Sequence, residues 1–368
     1  MDSHTHSLAA DDGDRGGAPS GGISANAPVT EQGDGPGPAS GMPGRSASGW
    51  KTWTGIVTAL VLLALAALAI NHVANEVDFR EVWAYLDALP LWKVLDAIAL
   101  TAVGYAVLTL YDVAALRFLK TRVPYRTVAL ASFCGYAISN NVGWAVISGG
   151  SVRYRVYSAA GLKAATIAKV VVISTTTFTL GVTFTGAVGL LIGPHPVAHL
   201  LSLPELLVQG LAGATLIALV AVCIIAGITH KPVRIWRWSF ELPGTIAVLS
   251  QIFIASLEIV ISGAALYLLL PDTHGAGFSE FLGIYCAALV VAMISHVPGG
   301  LGVFETILLL GLSAQGSAGG VLGALLAYRF VYYVLPLVVA GLTFLTWEAQ
   351  AKHGPVAALR AWIKRDRE

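Results

Sequence analysis

The sequence predicts an all-α polytopic membrane protein, with about six full transmembrane helices plus two re-entrant broken-helix hairpins. Three observations predict it. Of 368 residues, 56% are hydrophobic and only 12% are charged, where a soluble domain carries about 25%. Apolar runs of about 18 residues or more recur along the chain, the length that spans a bilayer core. One of the apolar segments is broken, at Ser295-His296-Val297-Pro298-Gly299-Gly300-Leu301-Gly302-Val303-Phe304-Glu305. Mean hydropathy of +0.73 agrees.

Residues 1–50 are rich in Gly, Ser, Ala and Pro and have no apolar period. They read as a disordered cytoplasmic tail. Six acids and two Arg give this tail a charge of −4, which leaves +5 for the rest against +1 overall. Its acidic start and late apolar run do not fit a signal peptide. Residues 51–350 read as the transmembrane domain, and 351–368 as a short basic cytoplasmic segment. Cys134, Cys223 and Cys286 stand in apolar segments at unrelated spacings and read as packing residues, not as a disulfide or metal site.

Within the membrane domain the expected full spans are 54–70, 94–116, 164–192, 205–228, 245–270 and 321–347. The loop 117–126 carries Arg117, Lys120, Arg122 and Arg126, and 148–163 carries Arg153, Arg155 and Lys163. Further bases stand in 230–237 and at the C-terminus. The loops 193–204 and 271–278 have no Lys or Arg, and 71–92 reads as an acidic loop. By the positive-inside rule the basic loops face the cytoplasm, and both termini with them. Two successive basic loops flank 127–147, so that segment dips in from the cytoplasm and returns. The broken segment 279–314 poses the mirror problem and enters from outside. The alternative counts 127–147 and both halves of 279–314 as crossings. Two opposed re-entrant elements suggest an inverted repeat.

A charge at mid-bilayer costs at least ~3 kcal/mol on insertion scales. Glu258 lies at the centre of 245–270, Arg329 near the middle of 321–347, and Glu305 beside the break. Arg329, Tyr332, Tyr333 and Pro336 share one helix face by their spacing. One reading makes Arg329 and a Glu a structural pair. Another has Arg329 bind a lipid phosphate, which its planar fork suits, with Glu305 and Glu258 handling a cationic part. A third is proton coupling. Pro298–Gly302 cannot continue a helix, and an irregular backbone in hydrocarbon survives only beside protein or water. Gly299, Gly300 and His296 therefore belong to the candidate cavity, His296 as a half-helix cap or a titrating group.

A second constellation is Asn140-Asn141, Gly149-Gly150, Arg153 and Tyr157. Gly149-Gly150 permits a tight turn whose N–H groups accept an anion. Arg153 and Tyr157 at i and i+4 share a face. The alternative is a basic loop meeting anionic head groups. Asp112 reads as a local interfacial partner of Arg117. The sequence contains no GxxxxGK[ST], HExxH or CxxC, the signatures of a phosphate-binding loop, a metalloprotease or a redox pair.

His296-Val297-Pro298-Gly299-Gly300-Leu301-Gly302-Val303-Phe304-Glu305 resembles the hallmark of the lysylphosphatidylglycerol synthase transmembrane region family, the membrane half of the multiple peptide resistance factor. The segment from Asn141 to Gly161 is similar to that family's other signature, and Arg329 with Tyr333 and Pro336 also matches. The resemblance runs over roughly 55–347 and implies movement of aminoacylated phospholipid between leaflets. In bifunctional members a separate C-terminal domain transfers the amino acid from tRNA; no such domain follows here, so synthase activity is not implied.

The expectation is a membrane lipid translocase of the bacterial inner (plasma) membrane, not an enzyme, with no cofactor, no metal and no nucleic acid. Its candidate substrate-binding residues are Asn140, Asn141, Arg153, Tyr157, Glu258, His296, Gly299, Gly300, Glu305, Arg329 and Tyr333. Its expected partners are membrane phospholipids, with a separate synthase or a second copy of the chain. The alternatives are a non-transporting partner of a lipid synthase or glycosyltransferase, and a proton-coupled solute transporter.

Overall fold

The computed structural model describes residues 79–142, 145–228, 233–235, 238–240, 244–272, 277–295, 297–312 and 317–353. All lie in the compact unit Trp50–Glu368. The expected tail 1–50, the expected span 54–70, His296 and most of the basic end 351–368 lie outside the described residues.

The chain runs α1 (Phe79–Ala88), α2 (Leu91–Phe118), α3 (Tyr125–Val142), α4 (Ala145–Ala159), α5 (Ala164–Ile192), α6 (His195–Leu201) and α7 (Glu205–Ile228). A short antiparallel pair follows, β1 (Val233–Ile235) and β2 (Trp238–Phe240). Then come α8 (Thr245–Leu269), α9 (Phe278–Ser295), a 3-10 turn at Pro298–Gly300, α10 (Val303–Leu312), α11 (Ala318–Tyr328), a π-helical turn at Arg329–Val334, and α12 (Leu335–His353). Among the described residues six helices are long and apolar enough to cross a membrane: α2, α5, α7, α8, α9, and α11 continued through the π-turn into α12. Five of these match expected spans. The sixth is α9, whose 18 residues reach about 27 Å at the helical rise, a length that the alternative count of 279–314 as crossings requires.

Helix is the outcome the medium demands, because each segment must then satisfy its own backbone. Even the Thr-rich part of α5 stays helical. The hydroxyls of Thr175, Thr176, Thr177 and Thr179 donate to the carbonyls four residues earlier, at 2.9–3.0 Å, which hides them from lipid. α5 also carries a close packing seam. A Cβ on Gly181 would lie 2.2 Å from Ala255 Cβ of α8, and one on Gly189 would lie 2.7 Å from the Gly283 nitrogen of α9. Without a hydrophobic force between helices in lipid, such small-residue contacts carry the association.

Two ends of the bundle differ. Arg117, Lys120, Arg122, Arg126, Arg155 and Lys163 are exposed at one end, where Arg155 also pairs with Glu348 of α12. At the other end Lys93 meets Asp272 at 2.9 Å and His195 meets Glu205 at 3.0 Å. The acidic loop expected over 71–92 is helical from Phe79. Val82 is buried, and the Tyr85 hydroxyl donates to the Leu269 carbonyl at the end of α8. Burial, with Asp272 nearby, pushes the Tyr85 phenol up to about 12, so it remains a donor at neutral pH. The expected loop 193–204 likewise holds a helix, α6.

α3 and α4 pack on each other, as do α9 and α10. The first pair begins and ends at the Arg-rich end. The second begins and ends at the opposite end, where Ile284 of α9 packs on Gly311 of α10 and both helices meet α6. The tips touch: a Cβ on Gly299 would lie 3.2 Å from the Asn141 carbonyl and 3.3 Å from that of Asn140. Two hairpins entering from opposite ends and meeting at their tips is the arrangement the loop charges anticipate; that each returns within the bilayer is a proposal.

Gly189→Leu should lower the thermal unfolding midpoint of the detergent-purified protein sharply, since overpacking costs ~1–3 kcal/mol or more. Gly213→Leu on α7, with nothing within 4 Å of a built Cβ, should leave it unchanged. Equal midpoints would show that the α5 seam does not hold the bundle together.

Candidate functional site

Three interruptions of helical backbone converge where the hairpin tips meet. The first is the Pro298–Gly300 turn. Gly299, Gly300 and Gly302 hold φ of 61°, 62° and 80°, a region that residues with a Cβ avoid. A Cβ on Gly300 would also lie 2.8 Å from Ala292 Cβ. The second is the last turn of α3, which carries Asn140 and Asn141 and ends at Val142. The third is the π-turn Arg329–Val334. Pro336 lacks an N–H and cannot serve the carbonyl of Tyr332 four residues earlier. The chain forms a π-turn there. Its open carbonyls take side chains: the Tyr105 hydroxyl donates to Tyr332 O at 3.2 Å, and Asn141 Nδ2 donates to Tyr333 O at 3.1 Å.

Arg329 ties two of these breaks together. Its Nη1 donates to the Gly299 carbonyl at 2.6 Å, and its Nε donates to Glu305 Oε1. The other Glu305 oxygen accepts the Gly302 N–H at 2.8 Å. Glu305 is thus the third residue of α10 reaching back to the residue before it, half of a capping box. The guanidinium lies 4.3 Å from the Tyr333 ring centroid and 5.4 Å from that of Phe304. The two side chains are 12% and 15% exposed. Among the described residues Arg329 Nη2 is buried and has no hydrogen-bond partner. Such an orphan at depth is costly, and in native proteins it calls for an explanation.

Arg153 and Tyr157 form a second, closed cluster. Arg153 Nε donates to Asp112 Oδ2 at 2.9 Å and its Nη2 to Oδ1 at 3.1 Å. Tyr157 and Ser174 hydroxyls donate to the same carboxylate at 2.8 and 3.0 Å. The Arg153 guanidinium lies 4.4 Å from the Tyr136 ring centroid, and the pair is 4% and 0% exposed. Two sequence readings are corrected here. Asp112 pairs across 41 positions with Arg153, while Arg117 is exposed. Gly149 and Gly150 make no turn; both lie inside α4. Gly149 packs against α3, where a Cβ would sit 3.0 Å from the Gly135 carbonyl and 3.2 Å from Arg153 Nη1.

Glu258 stands apart from both arginines. Its Oε1 accepts the Tyr332 hydroxyl at 2.6 Å, and its Oε2 accepts that of Tyr111 at 3.4 Å. Asn140 lies beside the Tyr105 hydroxyl. So the structure joins Gly299, Gly300, Glu305, Arg329, Tyr333, Asn140 and Asn141 in one site, puts Arg153 and Tyr157 in another, and links Glu258 to the first through Tyr332. Sequence reasoning missed Tyr105 and Tyr111, whose only signal was a phenol on the face of an apolar helix. Among the described residues no group of three or more His, Cys, Asp or Glu could hold a metal ion.

The family model described as Lysylphosphatidylglycerol synthase TM region matches residues 53–340. The uncharacterized protein slr0712 of Synechocystis sp. is 35% identical over 289 residues, covering 78% of this chain and 89% of that one. The inner membrane protein YbhN of Escherichia coli is 31% identical over 313 residues, 82% of this chain and 95% of its own. A phosphatidylglycerol lysyltransferase of Staphylococcus haemolyticus is 24% identical over 290 residues, 77% of this chain but 33% of the lysyltransferase.

Asp112→Asn alone should destabilise the protein by ~3–5 kcal/mol, because it strands the Arg153 charge in the interior. Adding Arg153→Gln should recover much of that loss. Thermal unfolding of the two single variants and the double variant gives the coupling; simple additivity would mean that the pair does not act as a unit.

Proposed function

Because the chain belongs to the lysylphosphatidylglycerol synthase TM region family, we propose that it moves a phospholipid, or a lipid-linked head group, between the leaflets of the plasma membrane. It is a multi-pass membrane protein with six candidate spans among the described residues. In this reading it performs no covalent chemistry, and the Arg-rich end with both termini faces the cytoplasm. The substrate class follows from the lysyltransferase relatives: phosphatidylglycerol and its aminoacylated forms are the first candidates.

The observation that carries the reading is the Arg329 clasp. A guanidinium at membrane depth keeps one donor unpartnered at the contact of two hairpin tips. A phosphate oxygen would satisfy that donor with a charge-assisted bond, while Nε and Nη1 keep Glu305 and Gly299. Glu305, still held by Arg329 Nε and the Gly302 N–H, is the carboxylate nearest to a cationic part of the head group in this reading. Asn140, Asn141, Gly299, Gly300 and Tyr333 line the same contact, with His296 expected beside it. The Asp112–Arg153 cluster holds α2, α4 and α5 together, and its role in the proposal is to fix the hairpin that presents Asn140 and Asn141.

Transfer between leaflets decides the matter. Wild type, Glu305→Gln and Arg329→Ala are reconstituted in vesicles with fluorescent phosphatidylglycerol or lysylphosphatidylglycerol, and an impermeant quencher reports which leaflet holds the label. Wild type should transfer lipid. Each variant should lose roughly tenfold or more, the scale of one hydrogen bond to a charged group. Correctly folded wild type that moves neither lipid would favour a non-transporting partner of a synthase.

A further inference from the structure

Glu258 is the buried charge that the clasp leaves unused. It is 3% exposed at the centre of α8. The titratable groups around it are phenols and a thiol: Tyr105 and Tyr111 from α2, Tyr136 from α3, and Cys286 with Tyr285 from α9. From α11 and the π-turn come Tyr328, Tyr332 and Tyr333. Among the described residues no Lys, Arg or His pairs with it. An ionised carboxylate there would have one short and one long phenol bond as its solvation, against a desolvation cost of several kcal/mol. A carboxylic acid avoids that cost: Oε1 still accepts from Tyr332, and Oε2 can donate to Tyr111.

The geometry points to Glu258 as a proton-binding site whose occupancy is coupled to the Arg329–Glu305 clasp through Tyr332. This rests on the clasp being the lipid site. The link is the π-turn. Arg329 and Tyr332 stand on the same six-residue turn, so one end of it grips the Pro298–Gly300 break and the other grips Glu258. π-turns inside helices are rare and recur at functional sites. Reverting this one to α geometry would rotate Arg329 and Tyr332 together and release both contacts. Electrostatics sets the sign of the coupling. An anionic head group at Arg329 adds negative charge at the other end of the turn, in the same apolar interior, and favours the protonated form of Glu258, so proton and anion bind together. The proton comes from water entering the site and returns to water when the head group leaves. A proton gradient would then drive anionic lipid transfer.

Infrared spectroscopy of the purified protein reads the proton without requiring transport. Ligand-free wild type should show the carbonyl stretch of a protonated acid in a dry environment, and Glu258→Gln should lack it. Identical spectra would overturn the proton site. Across a pH series, the midpoint of that band should shift in Glu305→Gln, which keeps an acceptor for the Gly302 cap, and shift oppositely in Arg329→Gln. The two variants remove charges of opposite sign. An unshifted midpoint in Glu305→Gln would overturn the coupling. The Glu305→Gln shift should shrink in a Tyr332→Phe background; full retention would overturn the relay. If the band behaves as expected but wild-type vesicles transfer no phospholipid, the lipid reading fails while the proton site stands.

Discussion

A backbone break inside an apolar bundle exposes N–H and C=O groups that water does not reach, and each must be met by a side chain. The centre of this protein is organised by that requirement. The Gly299 carbonyl takes Arg329, the Gly302 N–H takes Glu305, the Tyr332 carbonyl takes Tyr105, and the Tyr333 carbonyl takes Asn141. Each of these side chains comes from a different part of the chain than the group it serves, apart from Glu305. The breaks therefore hold the hairpins together instead of weakening them, and helices α2, α3, α10 and the π-turn are pinned to one point.

The two buried arginines show how differently one residue type can be used. Arg153 gives Nε and Nη2 to Asp112, whose carboxylate also accepts the Tyr157 and Ser174 hydroxyls, and the pair is buried. Its worth is specificity of packing, since a sealed pair gains little net stability over apolar residues. Arg329 is held through Nε and Nη1 and open at Nη2. A site that must receive an anion needs such a donor, and a structural pair does not. That difference, more than the presence of charge at depth, separates the two clusters.

Much of the architecture was legible in local chemistry. Pro298 and the glycines after it stop a helix wherever they stand, so the break at 298–302 could be read directly. Glu305 three residues past Gly302 carries the capping signature. Loop charges called for hairpins from opposite sides, and among the described residues the pairs α3–α4 and α9–α10 meet where Gly299 approaches Asn140 and Asn141; that these pairs re-enter is a proposal. The misreadings were of packing. Gly149 looked like a turn because glycine serves both turns and tight helix contacts, and only the nearness of Gly135 tells which. The segment at 71–92 looked like a loop because its charges hide the contacts of Val82 and Tyr85.

By itself the sequence determined that the chain lives in a membrane, that a helix breaks at 298–302, and which charges fall in the middle of apolar segments. These follow from composition, from the covalent limits of proline and glycine, and from the cost of charge in hydrocarbon. Tertiary structure decided which charges meet. Helical spacing says that Arg153 and Tyr157 share a face, but not that Asp112 on α2 lies opposite. It places Glu258 at mid-span, but not among phenols and away from both arginines. Pairing across 41 or 74 positions is set by how helices pack, and a periodicity within one helix holds no record of its neighbour.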